Sequence, residues 1–405
     1  MERMVEAVPD TDYQRLQHFL TDSPWDHRAV MQQVACEADR LLGGHPDTCL
    51  LIDESGFVKK GKGSAGVARQ WCGRLGKVEN CQVGVFAALS RGERHIPIDG
   101  RLYLPREWVE DSKRCRRAGI PEAEIVARSK AQHALAMVQQ ARASGVHFAW
   151  VGLDSGYGKE PWLLRALDAE GETFAADSHK NQIIYPTDPQ PRVPERTRGH
   201  GRRPARLQAQ APGIRVDQWL AQQPSTAWQR VTLRDSTRGK LMVEALSQRV
   251  WLWDGEETAA RCWHLIVRRE IGARNEIKFT LSNAAAETPL ERLAVMQGQR
   301  FWVERSFQDG KSNCGMADYQ VRRWSGWHHH MAMVTIAMLF MAEERTAQRD
   351  TEPLLSCADV VALLKHFLPR AAVTRDDVVA QMRLRHRQRK ASIDSAYKVQ
   401  ARHLE

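Results

Sequence analysis

The sequence predicts a mixed α/β core interrupted by a β-rich insertion, and three observations predict it. Two short apolar runs, TCLLID (48–53) and HFAWVGLD (147–154), each end in an acid and read as buried strands, with a helical stretch between them. A block from 226 to 282 is rich in β-branched and aromatic residues, and within it Ile277, Phe279 and Leu281 alternate with Lys278 and Thr280. Helical patterns bracket both features, up to residue 47 and again after Pro289.

Each element follows in order. Leu16, Phe19 and Leu20 share a helix face, Ser23-Pro24-Trp25-Asp26 marks a turn, and Val30, Val34, Leu41 and Leu42 continue the stripe in a second helix. The run 48–53 is then a strand that delivers Asp53 at its C-terminal end. Residues 82–90 and 94–104 have strand composition. After Pro121 the chain to 143 has no Gly or Pro, which predicts a helix with proline at its start. The second acid-terminated strand ends at Asp154, and the segment behind it opens with glycines and turns helical. Between 186 and 213 prolines mix with Arg192, Arg196, Arg198, Arg202, Arg203 and Arg206 to make a basic linker or exposed loop. After Pro289 the chain reads as helix to about 309, and again from about 326 to 346. From about 372 it is polar and rich in Arg and Gln.

Composition narrows the function classes. A chain of 405 residues exceeds one ordinary core, so two or three domains are expected. Lys and Arg number 59 against 49 Asp and Glu, a net charge of +10 that draws the protein to polyanions, nucleic acid first among them. The eight cysteines include no CxxC pair and are too sparse for a disulfide scaffold, so they read as reduced thiols of a cytosolic protein. The N-terminal residues have no apolar signal region, and the longest apolar run, Met331–Ala342, is too short to span a bilayer. A buried helix is expected there, and no membrane partner.

The two strand-ending acids carry the chemistry. Burying a carboxylate is costly unless a cation or hydrogen-bond donor offsets it, and converging oxygen ligands suit Mg²⁺ or Mn²⁺ rather than zinc. Either aspartate alone reads better as the cap of a following turn. A third acid shifts the balance. At about 100° per residue, Arg300, Glu304 and Lys311 fall within about 40° of one another on the helix after Pro289, with Gln297 beside them. An acid flanked by two bases makes sense if the acid holds metal and the bases grip phosphates. The plain alternative is a solvated face with an i, i+4 Arg–Glu pair, and Gly310 is placed to end or bend the helix before Lys311. The loop KKGKGSAGVARQ presents Lys59, Lys60, Lys62 and Arg69 among glycines. It lacks the P-loop spacing and fits contact with a phosphate backbone, or else a flexible hairpin. Arg322 and Arg323 make a second basic pair. The run His328-His329-His330 points in three directions on a helix, which leaves at most one for DNA. Trp228, Trp251, Trp253 and Trp263 read mainly as core aromatics of the β block.

At these residues the chain resembles a family. LLIDESGF, VGLDSGYG and RFWVERSFQDGK are similar to the three acidic signatures of DDE transposases from bacterial insertion sequences. The third matches the family's Tyr-x₂-Arg-x₃-Glu-x₆-Lys pattern at Arg300, Glu304 and Lys311, with Gln297 in place of the tyrosine. LQHFLTDSPWD (16–26), KKGKGSAGVARQWCGRLGKVENCQVGVF (59–86), RLYLPREW (101–108) and GMADYQVRRWSGWHHH (315–330) also look like stretches of one branch, so the resemblance runs from about residue 12 to 345. It implies an RNase H-like catalytic core whose acids Asp53, Asp154 and Glu304 bind two divalent ions, Mg²⁺ or Mn²⁺, for in-line displacement at phosphorus. It implies transposon-end and target DNA as partners, a dimer when two ends are paired, and a prokaryotic, nucleoid-associated location in the cytoplasm. It implies DNA contacts for Arg300 and Lys311, and the basic loops assign the same role to Lys59, Lys60, Lys62, Arg69, Arg322 and Arg323. The expected division is an N-terminal helical DNA-binding region at 1–47, core at 48–190, a β-rich insertion with basic linker at 191–285, core again at 286–346, and a helical, basic C-terminal region at 347–405. Two rivals stand beside the transposase: an RNase H-like nuclease that cuts without joining, and a DNA-binding protein without catalysis.

Overall fold

The computed structural model describes residues 8–9, 11–195, 205–236, 239–271, 276–369 and 372–404. Arg196, Arg198, Arg202 and Arg203 of the basic linker lie outside the described residues. The chain divides into two units, Pro24–Val360 and a second made of Met1–Ser23 with Val361–Glu405. The second unit holds α1 (Tyr13–Thr21) and the long C-terminal helix described below.

The first unit opens with α2 (His27–Leu42), capped by the Asp26 side chain, which accepts from the Arg28 amide. Then come β1 (Thr48–Val58), β2 (Ala68–Cys72), β3 (Lys77–Arg91) and β4 (Arg94–Leu102). Helix α3 (Lys130–Ala143) leads to β5 (Trp150–Leu153), and α4 (Pro161–Ala169) to β6 (Phe174–Ser178). Short strands β7 (Ile183–Ile184) and β8 (Ile214–Arg215) pair with each other. The β-rich block supplies β9 (Gln229–Ser236), β10 (Gly239–Leu252), β11 (Arg261–Glu270) and β12 (Ile277–Ser282). Helices α5 (Leu290–Gln299), α6 (Phe301–Asn313) and α7 (Trp324–Ala347) follow. Helix α8 (Cys357–Phe367) crosses the unit boundary, and α9 (Arg375–Leu404) is the exposed C-terminal helix.

Among the described residues ten strands form one sheet, in the order β2-β3-β1-β5-β6-β12-β11-β10-β9, with β4 also on β3. Strands β1, β5 and β6 run parallel, and the other pairings are antiparallel. From β1 the chain first builds towards β3 and then returns on the opposite side at β5. The β1/β5 boundary is therefore a topological switch point, where open α/β sheets place their ligands beyond the strand carboxyl ends. Period-two alternation gives the sheet two packed faces. Leu50 and Ile52 pack with α2, α3 and α4, while Cys49 and Leu51 pack with α6 and α7. This is a mixed α/β fold of the RNase H-like type.

Several expectations need correction. Strand β1 does not end at Asp53 but runs on to Val58, because residues 54–58 keep pairing with β3, ending with Val58 opposite Cys81. The helix expected from Pro121 starts at Lys130: Ser129 and Gln132 form a capping box there, and Pro121 opens only the turn Glu122–Glu124. The helix after Pro289 breaks into α5 and α6 at Arg300. Gly310 does not end it. The helix continues to Asn313, and Gly310 is buried where a Cβ would meet the sulfurs of Met338 and Met316. The β-rich block, expected as an insertion, is not set apart from the core, because β12 hydrogen-bonds to β6, with Phe279 opposite Ser178 and Ser282 opposite Ala175, and so prolongs the core sheet. The first 47 residues are also split: the unit boundary falls at Pro24, and α2 belongs with the sheet.

Close backbone approach sets one position. Gly158 closes the turn Ser155–Gly158, and a Cβ there would lie 1.9 Å from the Asp177 carbonyl oxygen on β6. Gly158→Ala must push that turn off the sheet. Chemical denaturation is expected to show a loss of about 3 kcal/mol; an unchanged midpoint would mean that the turn and β6 are not in contact.

Candidate active site

Alternation along β1 aims its two central acids in opposite directions. Glu54, in phase with Leu50 and Ile52, faces α3, where Lys130 Nζ meets it at 2.6 Å. Asp53, in phase with Cys49 and Leu51, faces α6 and is buried. On the neighbouring parallel strand Leu153 lies opposite Ile52, so Asp53 is the next residue on β1 and Asp154 the residue just past the end of β5. Asp154 caps the turn behind it, accepting from the amides of Gly156 at 2.8 Å and Tyr157 at 3.2 Å. The cap reading and the site reading of this aspartate hold together.

Arg300 joins the acids. Its position at the α5/α6 break turns the guanidinium into the sheet, where Nε meets Asp177 Oδ2 at 2.8 Å and Nη1 meets Asp53 Oδ2 at 3.4 Å. Nη2 meets Glu304 Oε1, one helical turn on, at 2.8 Å. Glu304 thus stands on the same side as Asp53, with its side chain 56% exposed against 12% for Asp53. Asp177 was not found by sequence reasoning, although FAADS (174–178) repeats the pattern of a short apolar run ending in an acid.

The electrostatics follow from burial and like charge. Burial, then the neighbouring charge of Asp154, pushes the Asp53 carboxyl up to about 8 against the pull of Arg300. Burial also raises Asp154. Arg300 is held above its ordinary range because Asp177, Asp53, Glu304 and Asp154 outweigh the cost of burying it. The Tyr157 hydroxyl is buried near Asp53 and Asp154 without a hydrogen-bond partner among the described residues, and burial followed by these charges raises it further. The donors are all hard oxygens, the set that suits Mg²⁺ or Mn²⁺. Among the described residues no three His, Cys, Asp or Glu groups converge closely enough to grip an ion, and Arg300 stands among the acids as their shared positive charge. The carboxylates and the orphaned Tyr157 hydroxyl fit a hard divalent cation taking over part of that charge.

The remaining basic residues separate into groups. Lys311 is half-buried with Nζ 5.4 Å from the Phe57 ring centre, and it has no ion-pair partner among the described residues. Burial, then Arg74, lowers its pKa. Lys59 is pinned: Nζ donates to the Tyr319 carbonyl at 3.2 Å and sits 3.4 Å from that ring's centre. The Ala65 amide donates to the Arg322 carbonyl at 2.9 Å, and Arg114 Nη2 to the Lys62 carbonyl at 3.2 Å. The Lys59 and Ala65 bonds tie the glycine loop to the loop before α7, and the Arg114 bond ties it to the short helix Ser112–Arg117; Lys60, Lys62, Arg322 and Arg323 are exposed on the two loops and Arg69 on β2. A cleft of about 110 Å³ adjoins the acids and is lined by Asp177, Arg234, Arg268, Lys278, Arg300 and Glu304 among others. Arg234 lies 4.0 Å over the Phe301 ring there. The β block therefore brings basic residues, missed in the sequence, to the edge of the acid site. A larger cavity of about 540 Å³, between α2, β4 and α3, contains none of the acids just described.

The other singled-out residues serve packing. His328, His329 and His330 each set a ring nitrogen 3.0 Å from a backbone carbonyl, of Trp324, Trp25 and Gly315 respectively. Trp263 is buried edge-on against Phe174, Trp253 donates to the Glu257 carbonyl, and Trp228 lies beneath Arg269. No helix among the described residues is long and apolar enough to cross a membrane.

A sheet of this order, with acids placed side by side at its switch point, defines an RNase H-like enzyme scaffold. A family profile described as DDE superfamily endonuclease matches residues 1–240, and the chain belongs to that family. Among curated proteins it is 25% identical over 330 residues to a Microchaete diplosiphon protein described as "probable transposase for insertion sequence element IS701", covering 80% of this chain and 73% of the relative.

The raised Asp53 has a consequence for stability. A carboxyl whose folded-state pKa exceeds its unfolded value favours the fold while protonated, so its contribution is complete below about pH 4 and is lost as pH rises through about 8. In the absence of divalent ions, Tm is expected to fall between pH 5 and 9, and Asp53→Asn to flatten the slope. Equal slopes in wild type and variant would remove Asp53 as the cause.

Proposed function

We propose that the protein is a DNA transposase that cuts and rejoins the ends of an insertion element. What supports this reading is that Asp53 and Asp154 directly follow the paired residues Ile52 and Leu153 of neighbouring parallel strands and that Arg300 contacts both Asp53 and Glu304, in a member of the DDE endonuclease family. The description of the Microchaete relative agrees with it. In this reading the three acids hold two Mg²⁺ or Mn²⁺ ions, which when bound activate the attacking water or 3′-hydroxyl and stabilise the leaving oxygen.

The chain's own residues bind and orient the DNA. Lys311, with no acid partner among the described residues, takes a phosphate oxygen beside the reacting phosphorus. Lys60, Lys62, Arg69, Arg322 and Arg323 carry the backbone on one side, from loops tied by the Ala65–Arg322 bond, and Lys59 stiffens that surface through Tyr319. On the other side Arg234 and Arg268 extend the track along the β block. Arg300 directs one hydrogen each of Nε, Nη1 and Nη2 at Asp177, Asp53 and Glu304, so a phosphate contact from it uses the remaining Nη hydrogens or displaces one of these acids. A dimer is the form in which two ends are joined.

Catalysis and grip are separable in this arrangement. Asp53→Asn, Asp154→Asn and Glu304→Gln are each expected to abolish Mg²⁺-dependent cleavage of end DNA while retaining DNA binding in a gel-shift assay. Near wild-type cleavage by any one removes that residue from the site. Transfer of pre-cut ends into a target is expected of the wild type, and cleavage without transfer would make the protein a plain nuclease. Lys311→Ala should weaken binding to all sequences alike and reduce the salt slope by about one phosphate contact. A loss confined to one base position would show base readout instead.

A further inference from the structure

Asp177 lies outside the Asp53–Asp154–Glu304 set, yet it contacts Arg300 as closely as Glu304 does and more closely than Asp53. Its Oδ2 takes Nε at 2.8 Å, whereas Asp53 meets Nη1 only at 3.4 Å. Asp177 is also braced from behind. Its Oδ1 accepts from Thr280 Oγ1 at 2.6 Å, and that oxygen accepts from Gln297 Nε2 at 2.7 Å. Thr280 and Gln297 are buried, so the brace is shielded from water. Gln297 lies three residues before Arg300, and the chain of bonds from Gln297 through Thr280 and Asp177 returns to the α5/α6 break. It fixes the guanidinium from two strands and a helix.

This arrangement divides the five donors of the guanidinium. Nε is committed to a braced, mostly buried carboxylate. The Nη groups reach Asp53 over a long contact and Glu304 at an exposed one, and exposed pairs are weak. The Nη contacts are the ones that can be given up while Nε stays.

We propose that Asp177 is a positioning residue that anchors Arg300 by Nε, holding the guanidinium back from Asp53 so that a divalent cation can take Asp53 and Glu304 from its two Nη groups. The inference rests on the acids being a cation site. Arg300 is then a resident competitor of the cation, and Asp177 limits the competition. Freed from Asp177, the guanidinium can rotate to grip Asp53 with two parallel bonds, the geometry that Arg–carboxylate pairs favour.

The test is Mg²⁺ titration of the DNA-free full-length protein by isothermal titration calorimetry, which reads binding without turnover. Arg300→Gln is expected to tighten Mg²⁺ binding. Asp177→Asn is expected to weaken it, on the order of tenfold, and to have no further effect in the Arg300→Gln background. Thr280→Val loosens the brace and keeps the Asp177 charge, so it should weaken binding by less, again only when Arg300 is present. It also serves if Asp177→Asn does not fold. Weakening by Asp177→Asn that persists without Arg300 would mean that Asp177 acts by its charge alone, and the anchor would be overturned. No weakening by Thr280→Val, or no tightening by Arg300→Gln, would overturn it as well. If neither wild type nor Arg300→Gln binds Mg²⁺, the cation-site reading itself fails.

Discussion

Asp53 is a carboxylate pressed against the interior of a sheet, beside a second one, and the rest of the site is arranged around that cost. Desolvation and the charge of Asp154 both disfavour its ionised form. Arg300 is the compensating charge, and its position follows from the break between α5 and α6, which lets one side chain leave the helix line and enter among the acids. A buried ion pair of this kind is weak evidence for stability, because taking the charges out of water costs about as much as their attraction returns. Its value here is positional: it gathers Asp53, Asp177 and Glu304, from two strands and a helix, around one guanidinium.

The sheet makes this possible. Because β12 pairs with β6, the β block prolongs the surface on which the acids stand, and Thr280 on β12 hydrogen-bonds to Asp177 on β6. Arg234 and Arg268 reach the acid cleft by the same continuity. The two loops that carry the other basic residues are tied to each other by the Ala65–Arg322 bond. In the transposase reading, the core sheet and these tied loops present basic residues from both the β block and the loops for DNA.

Much of this was legible in the sequence. The apolar runs ending in Asp53 and Asp154 gave two strands, and helical spacing put Arg300, Glu304 and Lys311 on a common face. Alternation in IKFTLS gave β12. What could not be read depends on contacts between distant segments. Strand β1 outlasts its apolar run because β3 is long enough to pair with all of it. Pro121 was a plausible helix start until the Ser129–Gln132 capping box, a local signal that was passed over, fixed the true one. The merging of the β block with the core sheet depends on which edge β12 finds, and no local pattern states that. Arg300 read as a phosphate ligand because its helix neighbours were visible in the sequence, whereas Asp177, 123 residues away, was not.

The most direct measurement of the central claim is anomalous diffraction from crystals of the protein with end DNA and Mn²⁺. The account predicts manganese peaks within ligand distance of Asp53, Asp154 and Glu304, with Arg300 drawn off Asp53 and still bonded through Nε to Asp177. Manganese bound away from Asp53 and Asp154, with Arg300 still spanning the acids, would contradict it.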